Sequence, residues 1–302
     1  MVYSPEAELA PGGLWSKIQQ QTRHALDCGA LKPIDTHYEF VDHGSMRFLV
    51  RVLANLVRKE KADLSQAARQ TGGKPFNPFL PYDPDLFVAN LSATHLCLLN
   101  KYNVVDHHIL IVTRAFEDQD AWLTRADFAA LALTLAEIDG LAFYNGGRLA
   151  GASQRHKHLQ LVPPPLCPDD SPLPLAAVVA NLELTPTAPV ESPVLPFRHA
   201  IMPLEAEPTP SGETLLTTYH TLLADLGVDW SKPTQTLPYN LLTTRRWMMA
   251  VPRQQESYES IPVNSLGFAG SLLVKTPTQL EWLKSIGPMT VLKQVAYQSE
   301  NS

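Results

Sequence analysis

Cysteine is scarce in this chain of 302 residues: three, at positions 28, 97 and 167, odd in number and far apart. They match no zinc-ligand spacing and cannot build a disulfide framework. A reducing cytoplasm is the compartment this usage implies. Cys97, inside "HLCLLN", reads as a small buried hydrophobe. Long apolar runs are also missing, and none approaches the ~18 residues a membrane span needs. The opening "MVYSPEAELAPGG" has neither the basic start nor the apolar middle of a secretory signal. Positive charge is not in excess either. A net charge of −6 excludes a general nucleic-acid binder, which needs a broad basic surface. Basic residues for a local phosphate pocket exist singly and in short clusters: Arg47, Arg51, Arg58, Lys59, Lys74, Lys101, Arg148, Lys157 and Lys275. There is no Walker loop, no G-x-G-x-x-G and no repeat of solenoid period. The pair Gly146–Gly147 alone is weak evidence.

Apolar residues make up 45% and charged residues 18%, as in an ordinary globular protein, over a length that allows two subdomains. Prolines cluster at 75–84 and again, more densely, at 163–210. From Cys167 to Pro210 no long periodic segment occurs, so this stretch reads as an extended connector with short pieces of structure. The chain then divides into 1–166, a connector 167–210, and 211–302.

Before the connector, "LWSKIQQQTRHAL" has helical spacing at Leu14, Ile18 and Leu26. "YEFVDHGSMRFLVRVL" reads as a hairpin turning at Asp42, His43 and Gly44. A second strand–turn–strand unit has strands near Leu96–Asn100 and His108–Thr113. "TRADFAALALTLAEIDG" is a helix: Thr124 and Asp127 suit its start, Phe128, Leu131, Leu135 and Ile138 form one face, and Gly140 stops it. "LAFYN" reads as a strand, "GGRLAGASQ" as a loop and "HKHLQLV" as a strand stopped by Pro163. After the connector come a helix capped by Ser211 and ended by Gly227, then a hairpin in "YNLLTTRRWMMAVPR". "GSLLVK", an apolar run with Lys275 at its end, and "LEWLKSI" finish the chain with helix. Strands paired through short turns, with helices between the pairs, favour α+β architecture with antiparallel sheet.

The segment "SQRHKHLQLVPPP", Ser153 to Pro165, carries the chemistry. Side chains alternate faces along a strand, so His156, His158 and Gln160 share one face at steps of roughly 6–7 Å. Lys157, Leu159 and Leu161 share the other, which wants a core. Three readings stay open on the residues alone. His-x-His can chelate zinc with a third ligand such as His95, His107, His108 or His199. The histidines can be ordinary surface or satisfied core residues. Or a neutral imidazole can attack phosphorus, provided its other nitrogen is held by an acceptor and donors meet the phosphate oxygens. The loop Gly151–Gln154, with small residues, a hydroxyl and an amide, would supply such donors.

"GASQRHKHLQLVP" resembles the active-site segment of the diadenosine tetraphosphate phosphorylases, or ATP adenylyltransferases, in the galactose-1-phosphate uridylyltransferase branch of the histidine-triad superfamily. "NPFLPYDPDLFV", "LSATHLCLLNKYNVVDHHILIVTRAFEDQ", "LAFYNGGRLAGASQ" and "GFAGSLLVK" are similar to further segments of that family, in its order. Arg155 stands where the family usually has proline. The resemblance implies a histidine-triad-like antiparallel sheet with flanking helices and a smaller C-terminal α+β half that completes a polyphosphate site. It implies phosphorolysis of diadenosine tetraphosphate to ATP and ADP, with His158 as the adenylylated nucleophile. His156 would orient His158, and Gln160 would bond the nucleotidyl phosphate. Ser153 and Gln154, in the loop from Gly151, would bind phosphate oxygens. Asn145 would line the phosphate site and Asn100 bind ribose. Ser271 and Lys275 would hold the distal phosphates. Arg51, Lys59 and Lys74 receive no role. His107 and His108 read as strand-start residues. The implied partners are nucleotides and inorganic phosphate, without nucleic acid or membrane, for a monomer or small homo-oligomer. No metal or other cofactor is built in, Mg2+ arriving with the nucleotide. A hydrolase using water, a uridylyltransferase and a nucleotide sensor without turnover are the rival expectations.

Overall fold

The computed structural model describes residues 12–54, 77–205, 208–230, 232 and 234–299. Arg58, Lys59 and Lys74, named above as candidate phosphate ligands, lie outside these residues. In chain order, α1 (Leu14–Asp27) leads to a hairpin of β1 (Thr36–His43) and β2 (Met46–Leu53). A 3-10 turn (Pro84–Leu86) precedes β3 (Phe87–Asn90), β4 (His95–Leu99) and β5 (Ile109–Thr113). Next come α2 (Arg125–Glu137), β6 (Leu141–Gly146), β7 (His158–Val162), α3 (Pro174–Ala180) and β8 (Ala200–Pro203). Then follow α4 (Gly212–Asp225), β9 (Tyr239–Thr243), β10 (Trp247–Pro252), β11 (Ser257–Tyr258) and β12 (Ile261–Pro262). The chain closes with α5 (Ser265–Phe268), β13 (Ser271–Val274), α6 (Pro277–Ile286) and α7 (Pro288–Val295). None of these helices is long and apolar enough to cross a membrane.

Eight strands form one sheet in the order β3-β4-β5-β7-β6-β9-β10-β8, antiparallel at every pairing. The α+β class with antiparallel sheet and flanking helices follows the sequence pattern. The sheet draws on both sides of the proline-rich stretch, since β6 pairs with β7 on one edge and β9 on the other. That stretch itself supplies α3 and the edge strand β8.

Alternation gives the sheet two faces. Cys97, Leu99, Ile109, Ile111, Tyr144, Leu159 and Leu161 pack against α1, α2 and α4, through Leu14, Ile18, Phe128, Leu131 and Leu222 among others. On the opposite face Leu141, Phe143, Val162, Leu242 and Met249 meet a second, three-stranded sheet and the C-terminal helices. Further along that face, Phe79 covers Leu96, Leu98, Leu110 and Val112. His158 lies opposite Val112 in register, and Gln160 lies between Leu110 and Phe143, so both rise between the two apolar clusters.

Three local expectations change. Leu26 is 47% exposed, and the buried stripe of α1 is Leu14, Ile18, Thr22 and Ala25. At 3.6 residues per turn Leu26 sits about 120° round the helix from Leu14, whereas Ala25 is almost beneath it. "GSLLVK" is strand rather than helix: β13 pairs in parallel with β2, Ser271 against Leu49 through Val274 against Val52. Its period-two burial sends Leu272 and Val274 into the core. The histidine strand begins at His158, with His156 joined to Asp118 by a single isolated bridge.

Lys157 departs most from expectation. Far from reaching a phosphate, it is 0% exposed and points with Leu159 and Leu161 into the helix-covered core. There its Nζ meets Asp127 at 3.0 Å, Glu117 at 2.5 Å and the Trp122 carbonyl at 3.3 Å. Asp127 also accepts from His95 at 3.0 Å and forms the capping box of α2 with Thr124. Burial alone raises the Asp127 carboxyl, but His95, the Lys157 charge and Thr124 together hold it down at about 2. A depressed acid contributes stability above its unfolded pKa and loses it as pH falls, here between about 4 and 2. Lys157→Met strands a buried carboxylate, and we expect denaturant titration at pH 7 to show a loss of about 3–5 kcal/mol.

Candidate functional site

His158 opens β7, 4% exposed. Its Nδ1 lies 2.8 Å from the backbone carbonyl of His156. A carbonyl only accepts, so Nδ1 carries the proton and Nε2 keeps its lone pair. Nε2 makes no hydrogen bond to any described residue. Burial pushes the imidazole down to about 4, against the opposing pull of the His156 carbonyl, so the ring is neutral near pH 7.

Backbone contacts fix where this ring stands. Gln119, 2% exposed, accepts from the His158 N–H at 2.9 Å through Oε1. Through Nε2 it donates to the His158 carbonyl at 3.2 Å and the Asn145 carbonyl at 3.0 Å. One amide thereby occupies both polar groups of the His158 peptide and ties β7 to β6. His156 donates from Nε2 to the Thr113 carbonyl at 2.7 Å and accepts from Asn77 Nδ2 at 3.0 Å. Its ring is thus fully engaged, and the part of His156 that touches His158 is its carbonyl. Phe79 packs against both rings, at 5.5 and 5.4 Å between centroids.

Gln160 is aimed by a relay. Asn100 Nδ2 donates to His108 Nδ1 at 3.1 Å, which leaves the proton on His108 Nε2 to bond Gln160 Oε1 at 3.0 Å. Burial lowers His108 to about 4, so the relay stays uncharged. With its oxygen occupied, Gln160 offers its amide N–H groups on the face that carries His158. The sequence offers His108 only as a strand start or a candidate zinc ligand, and gives Gln119 no role. The two-residue step from His108 to Leu110, and the antiparallel partner of Leu110 at Gln160, become visible only with the strand register.

The loop before the strand is held from below. Gly151 has φ +89°, and a Cβ there would stand 2.6 Å from the Val263 carbonyl, so glycine is required twice over. The Ala150 carbonyl accepts from Asn240 Nδ2 at 2.8 Å and Arg253 Nη1 at 3.3 Å. Arg253 is 0% exposed and also donates to Asn240 Oδ1 at 2.6 Å and the Val263 carbonyl at 2.9 Å. Asn145, 2% exposed, turns its Oδ1 into this network, where it accepts from Asn240 and from the Ser265 N–H and hydroxyl. Ser153 is exposed and Gln154 half-buried at the loop's end. Arg155 forms an ion pair with Asp118.

The structure therefore ties His156 to His158, and Asn100 to Gln160 through His108, with His158 and Gln160 two residues apart on β7 and Gly151, Ser153 and Gln154 in the loop leading into it. Ser271 and Lys275 stand apart, on and just beyond β13 of the smaller sheet, and make no hydrogen bond to the histidine strand. Leu273, between them, lies opposite Arg51 in register. The Arg51 Nε is buried with no partner among the described residues, and burial lowers its guanidinium.

Fold and site together define an antiparallel-sheet protein that presents a neutral, anchored imidazole beside an aimed amide. The chain belongs to the Ap4A phosphorylase family: residues 4–181 match the Ap4A phosphorylase N-terminal domain, and residues 193–298 the ATP adenylyltransferase C-terminal domain. It is 30% identical over 243 residues to diadenosine 5',5'''-P1,P4-tetraphosphate phosphorylase 2 of Saccharomyces cerevisiae, covering 71% of this chain and 74% of the relative. It is 28% identical over 291 residues to Protein APA1 of the same yeast, covering 88% of each. The crystal structure of yeast Ap4A phosphorylase Apa2 superposes with a TM-score of 0.79 at 25% identity, covering 96% of both chains. The complex of that yeast enzyme with Ap4A gives 0.78, covering 94% of this chain and 97% of the other.

Ring-resolved NMR titration should find His158 and His108 neutral down to about pH 4, well below an ordinary histidine. The unfolded chain binds protons on both rings first, so stability falls as pH drops from about 6.5 to 4. A midpoint above 6 for either ring contradicts the geometry.

Proposed function

We propose that the protein is a diadenosine tetraphosphate phosphorylase, converting diadenosine tetraphosphate and inorganic phosphate to ATP and ADP through an adenylyl group carried on His158. The observation that carries this reading is the neutral imidazole with Nδ1 anchored and Nε2 without a partner among the described residues, in a chain of this family. Nε2 attacks an α-phosphorus, the bond to the bridging oxygen breaks, and ATP departs. Positive charge appears on the ring, and the Nδ1–H bond to the His156 carbonyl stabilises it without any proton leaving. A phosphate oxygen then attacks the same phosphorus, the P–N bond breaks, ADP leaves and the ring is neutral again. Because the leaving nucleotide tolerates its charge near neutral pH, charge neutralisation matters more than a strong acid.

Gln160 donates to the α-phosphate oxygens and, unlike a histidine there, has no basic nitrogen to take a proton from attacking water. That favours phosphate over water as the second acceptor. Ser153 and Gln154 contact phosphate oxygens, and Asn100 contacts the ribose. Asn145 acts mainly by holding the floor of the site, to judge from its three accepted bonds. The distal phosphates run toward Ser271, Lys275 and Arg51, whose buried unpaired Nε offers a ready donor. Mg2+ enters as part of the nucleotide substrate. The enzyme acts on small nucleotides in the cytoplasm, as a monomer or small homo-oligomer.

Mixing the protein with diadenosine tetraphosphate and no phosphate should leave AMP on the protein. Adding phosphate should release ADP. His158→Ala should lose at least about a thousandfold in turnover. AMP released into phosphate-free buffer would point to a hydrolase instead. His108→Leu should cost turnover about 10–100-fold by releasing Gln160, while KM changes little. Unchanged kcat in that variant removes the relay from the mechanism.

A further inference from the structure

We propose that His24, Cys28 and Asp85 form a site for a borderline-soft divalent cation of the zinc class, apart from the reaction centre. Among the described residues these three make the one group of ligand atoms close enough to hold a metal ion, all within 4.8 Å of one another. His24 Nε2 is 2.9 Å from Asp85 Oδ1 and 4.0 Å from Cys28 Sγ. Tetrahedral zinc, with bonds of about 2.0–2.3 Å, sets neighbouring ligand atoms roughly 3.3–3.6 Å apart. The two hydrogen-bond separations bracket that range, and the third lies within 4.8 Å.

The scaffold is built for it. His24 lies in the last turn of α1 and Cys28, four residues on, is its C-cap with helical backbone angles, so the two side chains stand one above the other. The carbonyl end of a helix carries partial negative charge, which favours a cation there. Asp85 comes from the 3-10 turn before β3 and is fixed in place. Gln21 Nε2 of α1 donates to its carbonyl at 2.6 Å, and its N–H donates to Asp83 at 3.2 Å. Its carboxylate thus faces the helix with the backbone already positioned. His24 and Asp85 are about half exposed, so water completes a fourth position. Cys28 is exposed, whereas Cys97 and Cys167 are buried.

The ligand set decides the ion. One imidazole, one thiolate and one carboxylate suit Zn2+ or Co2+ and discriminate against Mg2+ and Ca2+, which take oxygen. The ion would staple α1 to the start of the large sheet. The inner face of the same helix bonds His107, through Thr22 Oγ1 at 3.0 Å, next to the His108 of the relay. Binding to the folded chain would therefore stabilise the layer behind the site.

Co2+ added to the reduced full-length protein is the probe. We expect one equivalent to give a thiolate-to-cobalt charge-transfer band and the visible absorption of a tetrahedral ion. Cys28→Ser should abolish the charge-transfer band, and His24→Ala and Asp85→Asn should each weaken binding tenfold or more. His158→Ala should keep the signal, and excess Mg2+ should not displace it. All three ligands are on the surface, so the variants should fold and C28S should turn over normally. No charge-transfer band, or one unchanged in C28S or H24A, overturns the proposal.

Discussion

The hydrogen bond from His158 Nδ1 to the carbonyl two residues back is the constraint on which the site depends. Without it the proton could sit on either nitrogen, and Nε2 would hold a free lone pair for part of the time only. The bond is possible because the chain is not yet regular strand at His156. A ladder-paired carbonyl would be spent on a neighbouring strand. Here the ladder of β7 begins at His158 itself, and the carbonyl before it is left for the ring. Gln119 then does for the peptide of His158 what a ladder partner would do, which holds the strand start in place without closing off the imidazole.

Around that bond the histidines are neutral, and an ion cluster supports the strand from behind. His108, His156 and His158 are all depressed by burial. On the other side of the same strand, Lys157 sits in an ion cluster with Asp127 and Glu117. Alternation of the strand separates the two environments by one residue. The arrangement keeps a formal charge off the reactive face until chemistry puts one there. Arg253 has a comparable role beneath the loop, where its guanidinium holds five backbone carbonyls and Asn240 rather than a carboxylate.

Much of this was legible in the sequence, for identifiable reasons. The capping box at Thr124 and Asp127, the Ser211 cap and the Gly227 stop are local signals, and the helices begin and end where they say. Alternation placed His158 with Gln160 and Leu159 with Leu161 because it holds for any strand. Alternation places Lys157 on the core face with Leu159 and Leu161, but its charge alone suggests a phosphate ligand, and only the approach of Asp127 from α2 and of Glu117 makes its burial tolerable. The roles of His108 and Gln119 required register and loop path, which depend on contacts 52 and 39 residues apart. The strand nature of 271–274 likewise depends on β2, more than two hundred residues earlier.

The large sheet does not respect the proline-rich stretch. β6, from the first half, is bordered on one side by β9 of the second. A fragment stopping before residue 211 would leave β6 with a bare row of amides and carbonyls in mid-sheet, flanked by the apolar residues that pack there now. Such an edge is a template for another copy of itself. Expressed alone, the first half would be driven toward self-association, and co-expression with the second would be the way to keep it apart from its own kind.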